Sequence, residues 1–240
     1  MRRIVSIHQP NYLPWLGYFH KISYSDVFVF LDDSQYSPKT YTNRCFLSRD
    51  GQQFRLSVPA TVKNWDDPIS AVEIDTDDFA RKHLESFRHA YGKCRAYDEV
   101  MACIEPAFKM GQGSLGEFNI DLITRLAKYL EFSPTFLKLS ELGIGTKKNQ
   151  LLIDIANATK ADTFVSGIGA KAYIQGNEDL YADSNVNLAF QNFIHPEYRQ
   201  RKPQFVQNCS ILDLVFNTGT AAGEILTSQQ EPAYREWSGC

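Results

Sequence analysis

The fold is decided by residues 4–20, which read Ile-Val-Ser-Ile-His-Gln-Pro-Asn-Tyr-Leu-Pro-Trp-Leu-Gly-Tyr-Phe-His. The apolar residues at the start predict a strand over Arg3 to Ile7, and the residues from Leu16 to about Ser23 predict a helix. A strand that leads through a short polar loop into a helix presents backbone N–H groups to a ligand. These residues therefore predict both a β-α opening and a binding site.

The loop between the predicted strand and helix contains two prolines. Pro10 and Pro14 fix their own φ angles and favour extended backbone at the residue before each of them. The polar side chains of the loop are therefore expected to lie on a rigid segment. We interpret His8 as a catalytic residue, either an acid/base or a phosphate contact. The substrate-binding candidates of the same loop are Gln9, Asn11 and Tyr12, and burial in the core is the alternative for the large Tyr12.

Strands and helices alternate along most of the remaining chain. The continuous apolar run from Val27 to Leu31 predicts a strand covered on both faces, which completes a β-α-β opening. Further strands are predicted over residues 134–139, 162–165 and 186–193. A β-hairpin is predicted within residues 41–62, with its turn at 49–52. Helices are predicted over residues 77–91, 96–109 and 148–161, and three more begin at residues 114, 171 and 210. The predicted fold class is α/β, with a mostly parallel sheet, helices on both faces, a β-hairpin extension and a helical middle segment. We expect one domain over residues 1–240.

The composition excludes several classes of protein. The formal net charge of −3 gives no bulk attraction to nucleic acid. No apolar stretch approaches the ~20 residues of a membrane-spanning helix, and the N-terminal run is too short for a signal peptide, so we expect a cytoplasmic protein without membrane insertion. Five cysteines without a C-x-x-C pair indicate free thiols rather than a disulfide framework or a thiolate zinc site.

Acidic residues follow the second predicted strand, where the carboxyl ends of strands line the ligand crevice of an open α/β sheet. Of Asp32 and Asp33, we take Asp32 as a catalytic candidate that could bind a sugar hydroxyl, a ribose or Mg²⁺. A turn aspartate that caps local N–H groups is the alternative. The next substrate-binding candidates are Gln35, Asn43 and Arg44, whose amide and guanidinium groups suit a carboxylate or a phosphate.

A glycine-containing loop follows the strand predicted at 162–165 and reads Ser166-Gly-Ile-Gly-Ala-Lys171. Small residues there let backbone N–H groups approach an anion. The segment is neither a Walker A loop nor a complete dinucleotide fingerprint, and a tight turn without a ligand is the alternative. It contributes the substrate-binding candidates Ser166, Gly167, Gly169 and Lys171.

A single histidine follows the last predicted strand, in the segment His195-Pro-Glu-Tyr198. An unperturbed imidazole titrates near neutral pH, so His195 is a second catalytic candidate, which Glu197 could orient. A packed histidine without a chemical role is the alternative. Because no helical H-E-x-x-H and no cluster of histidine and acidic residues is present, the sequence predicts no preformed transition-metal site.

Taken together, these motifs resemble the WbqC-like family of bacterial proteins. The resembling segments are residues 7–22, with the pattern I-x-Q-P-N-Y-L-P-W-L-G-Y-F-x-K-I, and residues 26–36, 42–44, 161–174, 195–198 and 210–217. The resemblance covers nearly the whole chain. It implies a role in the biosynthesis of O-antigen and other surface polysaccharides, and it implies no particular reaction.

With that context, the motifs favour a transferase or ligase that transfers a group, or forms an amide bond, on a nucleotide-linked amino sugar or its acyl donor. The expected partner is this small-molecule substrate, and Mg²⁺ could accompany the nucleotide. One alternative is a non-catalytic substrate-binding or scaffold protein of the same pathway. Another is a nucleotidyltransferase-like enzyme with a degenerate H-x-G-H loop, where Trp15-Leu-Gly-Tyr18 stands here. The sequence leaves open whether the N-terminal loop and the Ser166 loop share one pocket, and what the oligomeric state is.

Overall fold

A computed structural model of the chain describes residues 2–75, 78–110, 113–171, 177, 180–181, 184, 186–228 and 234–236. Its strands are β1 (Ile4–His8), β2 (Val27–Phe30), β3 (Arg44–Arg49), β4 (Gln52–Ser57), β5 (Ala60–Thr61), β6 (Glu73–Ile74), β7 (Thr135–Lys138), β8 (Thr163–Ser166), β9 (Asn187–Gln191) and β10 (Tyr234–Glu236). Its helices are α1 (Leu16–Ser23), α2 (Asp78–Tyr91), α3 (Tyr97–Met110), α4 (Leu115–Tyr129), α5 (Leu139–Leu142), α6 (Lys148–Ala158), α7 (Ile211–Thr218) and α8 (Ala221–Thr227). No described helix combines the length and the apolar character needed to cross a membrane.

The main sheet has the strand order β10-β9-β8-β1-β2-β7. The five strands from β9 to β7 are parallel, and β10 pairs with β9 in the antiparallel direction. From β1 the chain first proceeds outward to β2 and β7, and it then crosses back to β8, on the other side of β1. The strand order therefore reverses between β1 and β8, which makes their carboxyl ends the topological switch point of the sheet.

Helices cover both faces of this sheet, as the alternation of residues along β2 illustrates. Val27 and Val29 face one side and pack in a cluster with Ile153 of α6. Phe28 and Phe30 face the other side and belong to the larger core, to which α1, α2, α3, α4, α7 and α8 contribute. Successive residues of a strand point to opposite faces. The predicted α/β class, with a mostly parallel sheet and helices on both faces, is confirmed.

The predicted β-hairpin is formed by β3 and β4, with Arg49 opposite Gln52 beside the turn. Asp50 and Gly51 both have positive φ, 54° and 80°, as the common two-residue turn between antiparallel strands requires. The hairpin forms a two-stranded sheet of its own and does not hydrogen-bond to the main sheet. The small pair of β5 and β6 and the C-terminal strand β10 were not predicted. The helix predicted from Lys171 lies mostly outside the described residues.

Helix α1 is buried over most of its length. Every residue from Leu16 to Ile22 is inaccessible or nearly so, because the helix lies on the sheet and is covered by α7 and α8. A helix that is enclosed in this way is normally apolar all round. The polar residues of α1, His20 and Lys21, are therefore held inside the protein.

Candidate functional site

A pocket of about 610 Å³ opens at the switch point. One side consists of Ile7, His8 and Gln9, at the end of β1, and the opposite side is the loop from Ser166 to Ala170 that follows β8. Residues of α1 together with Trp15, Leu31, Leu152, Phe164 and Gln191 complete the lining. The N-terminal loop and the Ser166 loop therefore share one pocket, at the position where open α/β sheets bind ligands.

His8 lies against two aromatic residues in this pocket. Its ring centroid is 5.4 Å from that of Trp15 and 4.7 Å from that of Tyr18. Its Nδ1 atom lies 3.3 Å from the Gln9 carbonyl oxygen, and because a carbonyl only accepts, Nδ1 carries the proton and Nε2 keeps a free lone pair. Burial, together with the nearby charge of Lys21, lowers the pKa of His8 to about 3. The imidazole is therefore uncharged at neutral pH.

Lys21 is the residue that sequence reasoning missed. Its side chain comes from α1 and lines the pocket, with only 4% of the residue exposed. The ammonium nitrogen Nζ donates a long hydrogen bond, 3.5 Å, to the Ile7 carbonyl oxygen. It also lies 3.8 Å from the position that a β-carbon on Gly167 would occupy. Burial lowers the pKa of Lys21 to about 8, because desolvation disfavours the charged form.

Gln9 is fixed across the ends of two neighbouring strands. Its amide nitrogen donates to the Ser34 hydroxyl at 3.0 Å, and that hydroxyl donates to the Leu31 carbonyl at 2.7 Å. The Tyr18 hydroxyl donates to the Gln9 carbonyl at 3.0 Å. This wall of the pocket is thus held by hydrogen bonds from the segment after β2 and from α1.

The Ser166 loop leaves β8 through an extended Gly167 and then forms a 3-10 turn over Ile168–Ala170. Ser166, Gly167 and Gly169, which the sequence indicated as substrate-binding, line the pocket. Lys171, predicted with them, is exposed at the end of the turn and is not among the described lining residues.

Gln191, at the end of β9, is a second lining residue that the sequence did not indicate. Its side-chain amide donates to the Gly17 carbonyl at 2.7 Å and lies 3.0 Å from Nδ1 of His20. Burial lowers the pKa of His20 to about 4, so this Nδ1 is free to accept the second amide hydrogen. The contact ties β9 to the start of α1.

The remaining candidates of the N-terminal loop lie outside this pocket. Asn11 and Tyr12 are both buried, and the Tyr12 hydroxyl is 2.7 Å from Nδ1 of His83 on α2. Tyr12 packs in the larger core, as the alternative interpretation expected. The loop turns inward there because Tyr12 N–H donates to the Tyr41 carbonyl.

Asp32 is buried and uses its carboxylate within the fold. It accepts hydrogen bonds from the backbone N–H of Ser140 at 3.1 Å and from its hydroxyl at 2.6 Å. Because Ser140 lies in the first turn of α5, the carboxylate satisfies a free N–H group at a helix start. Asp32 thus has a capping role, but the capped group lies 108 residues along the chain, whereas the alternative expected local N–H groups. Gln35 is exposed and donates to the Trp65 carbonyl at 3.3 Å.

Asn43 and Arg44 also lie away from the described lining and bind backbone carbonyls. Asn43 donates to Val58 and Arg44 to Lys39, each at 3.1 Å. Within the described part of the chain, Asn43 Oδ1 and Arg44 Nε are buried without a hydrogen-bond partner. These residues hold the segment that leads into the β-hairpin.

His195 is not among the described residues that line the pocket. Its Nδ1 lies 2.9 Å from the Pro196 carbonyl oxygen, and its ring centroid is 6.0 Å from those of Phe193 and Phe205. The two histidines that the sequence indicated as acid/base candidates are therefore not brought together in the pocket.

The family-like segment at 210–217 contains a buried carboxylate that the sequence analysis did not single out. Asp213 accepts three hydrogen bonds of 2.7 Å, from the hydroxyls of Tyr91 and Tyr198 and from the amide of Gln200. Burial raises the pKa of Asp213, and these three donors oppose the rise. This network joins α2, α7 and the segment before α7.

The types of the lining residues show whether the pocket could hold the Mg²⁺ that was expected to accompany a nucleotide. None of the described residues that line the pocket is a carboxylate, and the described residues contain no group of histidine, cysteine or acidic side chains that could hold a metal ion. The pocket residues do not fit a directly held Mg²⁺, since this ion prefers carboxylate oxygens. It would have to enter on the phosphate oxygens of a nucleotide.

These features define the class of the protein: an open α/β protein with a partly aromatic pocket at the topological switch point of its sheet. The model of the WbqC-like protein family matches residues 9–225, and the chain belongs to that family. A similar protein is the uncharacterized protein Rv1507c of Mycobacterium tuberculosis. The two are 27% identical over 225 residues, which cover 92% of this chain and 96% of the mycobacterial protein.

Proposed function

We propose that this protein is an enzyme of bacterial surface-polysaccharide (O-antigen) biosynthesis that transfers a group, or forms an amide bond, on a nucleotide-linked amino sugar or its acyl donor. The observation that carries the proposal is the convergence of the uncharged His8 and the Ser166 loop in one pocket at the switch point. The pathway comes from the resemblance to the WbqC-like family. The four described cysteines are free thiols, which supports the cytoplasm as the site of action.

An acyl transfer illustrates how the pocket residues would act. The sugar amine would attack the acyl carbonyl carbon, a C–N bond would form, and the bond from that carbon to its carrier would break. Nε2 of His8 would accept the proton that the amine loses and return it to the leaving group. Gln9 and the backbone N–H groups of the Ser166 loop would orient the donor, and Trp15 and Tyr18 would pack against it.

One observation favours a second candidate, the non-catalytic substrate-binding protein. An imidazole with a pKa of about 3 is a weak base at neutral pH, and the best acid/base catalysts titrate near the working pH. A binding protein needs no such titration.

For the nucleotidyltransferase-like alternative, Trp15 and Tyr18 line the pocket at the start of α1, but neither supplies the imidazole of an H-x-G-H loop.

Ligand-dependent stability identifies the donor first. The purified protein is heated with ATP, UDP- and dTDP-sugars, acetyl-CoA and free amino acids, with and without Mg²⁺. A ligand at about 100 times its Kd stabilises the fold by roughly 2.7 kcal/mol, which a thermal shift detects. Donors that bind are then incubated with amino sugars, and new products are sought by mass spectrometry.

The variant His8→Gln separates the two candidates. We expect binding to persist while turnover falls by about 100-fold or more, the usual contribution of a general acid or base. The matched control is His89→Gln, at an exposed histidine of α2. Donor binding without any product would support the binding protein, and no shift with any donor would overturn the proposed enzyme.

A further inference from the structure

We propose that Lys21 binds an oxyanion of the ligand, a phosphate or carboxylate oxygen, in the space between α1 and the Ser166 loop. The inference rests on the proposed function, because it names the group of the donor that the same pocket would hold. The sequence analysis assigned anion binding to Arg44 and Lys171 instead. Neither of them is among the described residues that line the pocket.

The charge of Lys21 is not balanced by another charge in the described part of the protein. A buried ammonium is costly unless a carboxylate or several hydrogen bonds compensate it. In the described residues no acidic side chain forms a salt bridge with Lys21, and the one hydrogen bond of its ammonium group is the 3.5 Å contact to the Ile7 carbonyl. The surrounding residues of α1 are buried as well, and Lys21 is one of the residues that line the pocket.

The ammonium group of Lys21 lies close to the Ser166 loop. A β-carbon on Gly167 would lie 3.8 Å from Nζ, and because glycine has no such atom, this space belongs to the pocket. Gly167 has φ of −73° and ψ of 151°, a conformation open to any residue. The backbone conformation therefore does not explain why glycine stands at this position. What glycine provides here is open space beside the ammonium group, where a ligand atom can lie.

The described lining of the pocket carries a net positive charge. Lys21 is the one charged side chain among the described lining residues, and the other polar side chains there are neutral. A pocket with one cation, no acid and several aromatic walls complements a ligand with an anionic group and an apolar or planar part. Ser166, beside Gly167, offers a hydroxyl to the same oxyanion.

Anion binding at Lys21 would also act on His8. The charge of Lys21 disfavours protonation of His8 in the ligand-free pocket. A bound oxyanion would compensate that charge, so the imidazole would become a stronger base once the donor is in place. Lys21 is in this respect a positioning residue that prepares His8 for proton transfer.

Isothermal titration at low ionic strength tests the proposal with simple probes. The probes are inorganic pyrophosphate, UMP and N-acetylglycine, with uridine as the uncharged control, so that the phosphate and carboxylate sources are distinguished. Lys21→Met removes the charge and keeps a linear side chain of similar length. We expect the affinity for at least one anionic probe to fall about tenfold or more, as the loss of a charge-assisted hydrogen bond predicts.

The control is the same substitution at an exposed lysine, Lys93→Met, which should bind the probes like the wild type. Lys21→Gln provides a second uncharged variant if Lys21→Met does not fold. Unchanged anion affinity in a folded Lys21 variant, or no binding of any anionic probe to the wild type at millimolar concentration, overturns the proposal.

The two proposals fail in different ways. Lys21-dependent anion binding without any product would support the anion site and count against the enzyme. Product formation with an unchanged KM in the Lys21 variants would support the enzyme and count against the anion site.

Discussion

The Lys21 ammonium nitrogen lies 3.8 Å from the point where a β-carbon on Gly167 would stand, although one residue belongs to α1 and the other follows β8. The two meet because β1 and β8 are neighbours in the sheet, so that the segments leaving their carboxyl ends face each other. The pocket is thus a product of the sheet topology.

The substitution Lys21→Met should stabilise the protein. Burial lowers the pKa of Lys21 from 10.5 to about 8, and each pKa unit corresponds to about 1.4 kcal/mol, so the charged side chain destabilises the fold by about 3 kcal/mol at pH 7. Urea unfolding at pH 7 should show a gain of up to about that size. Lys93→Met should leave the free energy of unfolding unchanged, and a loss of stability in Lys21→Met would contradict the burial described here.

The advantage of Lys21→Met should depend on pH in a defined direction. Between about pH 8 and 10.5 the unfolded wild type binds the Lys21 proton and the folded wild type does not. The stability contributed by this residue therefore rises with pH in that window. The difference in free energy of unfolding between variant and wild type should be largest below pH 8 and disappear above about pH 10.5. A difference that stays constant across the window would contradict the prediction.

Gly167→Ala should fold normally and weaken anion binding. The backbone conformation of Gly167 accepts alanine, and the new methyl group would make an ordinary contact of 3.8 Å with Lys21 Nζ. It would fill the space proposed for the oxyanion, so the affinity should fall about fivefold, or roughly 1 kcal/mol. Titration and urea unfolding of the variant check both parts. Gly145→Ala, at an exposed glycine with open space around it, is the control that should change neither.

The protein should lose stability steeply in mild acid. Burial lowers the pKa of His8 to about 3 and those of His20 and His83 to about 4. As the pH falls below 6.5, these histidines become protonated in the unfolded chain but stay neutral in the folded chain. The free energy of unfolding therefore falls by up to about 1.4 kcal/mol per histidine and pH unit. Urea midpoints from pH 7 to pH 4 should follow this decline. His20→Gln should make the decline shallower, whereas His89→Gln, at an exposed position, should leave it as steep as in the wild type.

Asp213→Ala should destabilise the fold and leave the pocket intact. The substitution leaves the buried donors of Tyr91 and Gln200 and the partly buried hydroxyl of Tyr198 without their acceptor. Since each hydrogen bond to a charged group contributes about 1.5–3 kcal/mol, the total loss should exceed about 3 kcal/mol. Urea unfolding measures this loss, and Asp66→Ala, at an exposed aspartate, is the neutral control. A folded Asp213→Ala protein with lost anion binding would instead assign this residue to the site.

The sequence predicted those parts of the fold and the site that depend on local signals. The helix over Leu16 to Ser23 was predicted with its observed bounds, because the proline before it and the apolar pattern lie within a few residues. The turn at Asp50 and Gly51 carries a similarly local signal. His8, Gln9 and the Ser166 loop were indicated for the same reason, since each lies at or directly after the end of a strand.

Residues whose role depends on distant neighbours could not be predicted in this way. A lysine is exposed by default, and Lys21 is buried where α1 meets the end of β1 and the loop after β8, close to the Ile7 carbonyl and Gly167. Asp32 and Arg44 have the residue types of a ligand site, yet their partners are Ser140 and the Lys39 carbonyl. The sequence shows which side chains could bind a ligand, but it does not show which groups of the folded protein those side chains contact.

The central position of β1 also determines when the pocket can form during synthesis. β1 and its neighbour β2 are made long before β8, which begins only at Thr163. Pairing between strands so far apart in sequence is slow, and until it occurs the β8-facing edge of β1 has no partner. A fragment that ends before β8 would therefore carry an open, apolar strand edge, a known template for aggregation. The site is completed only after β8 and β9 have been made, since Ser166 and Gln191 at their ends line the pocket.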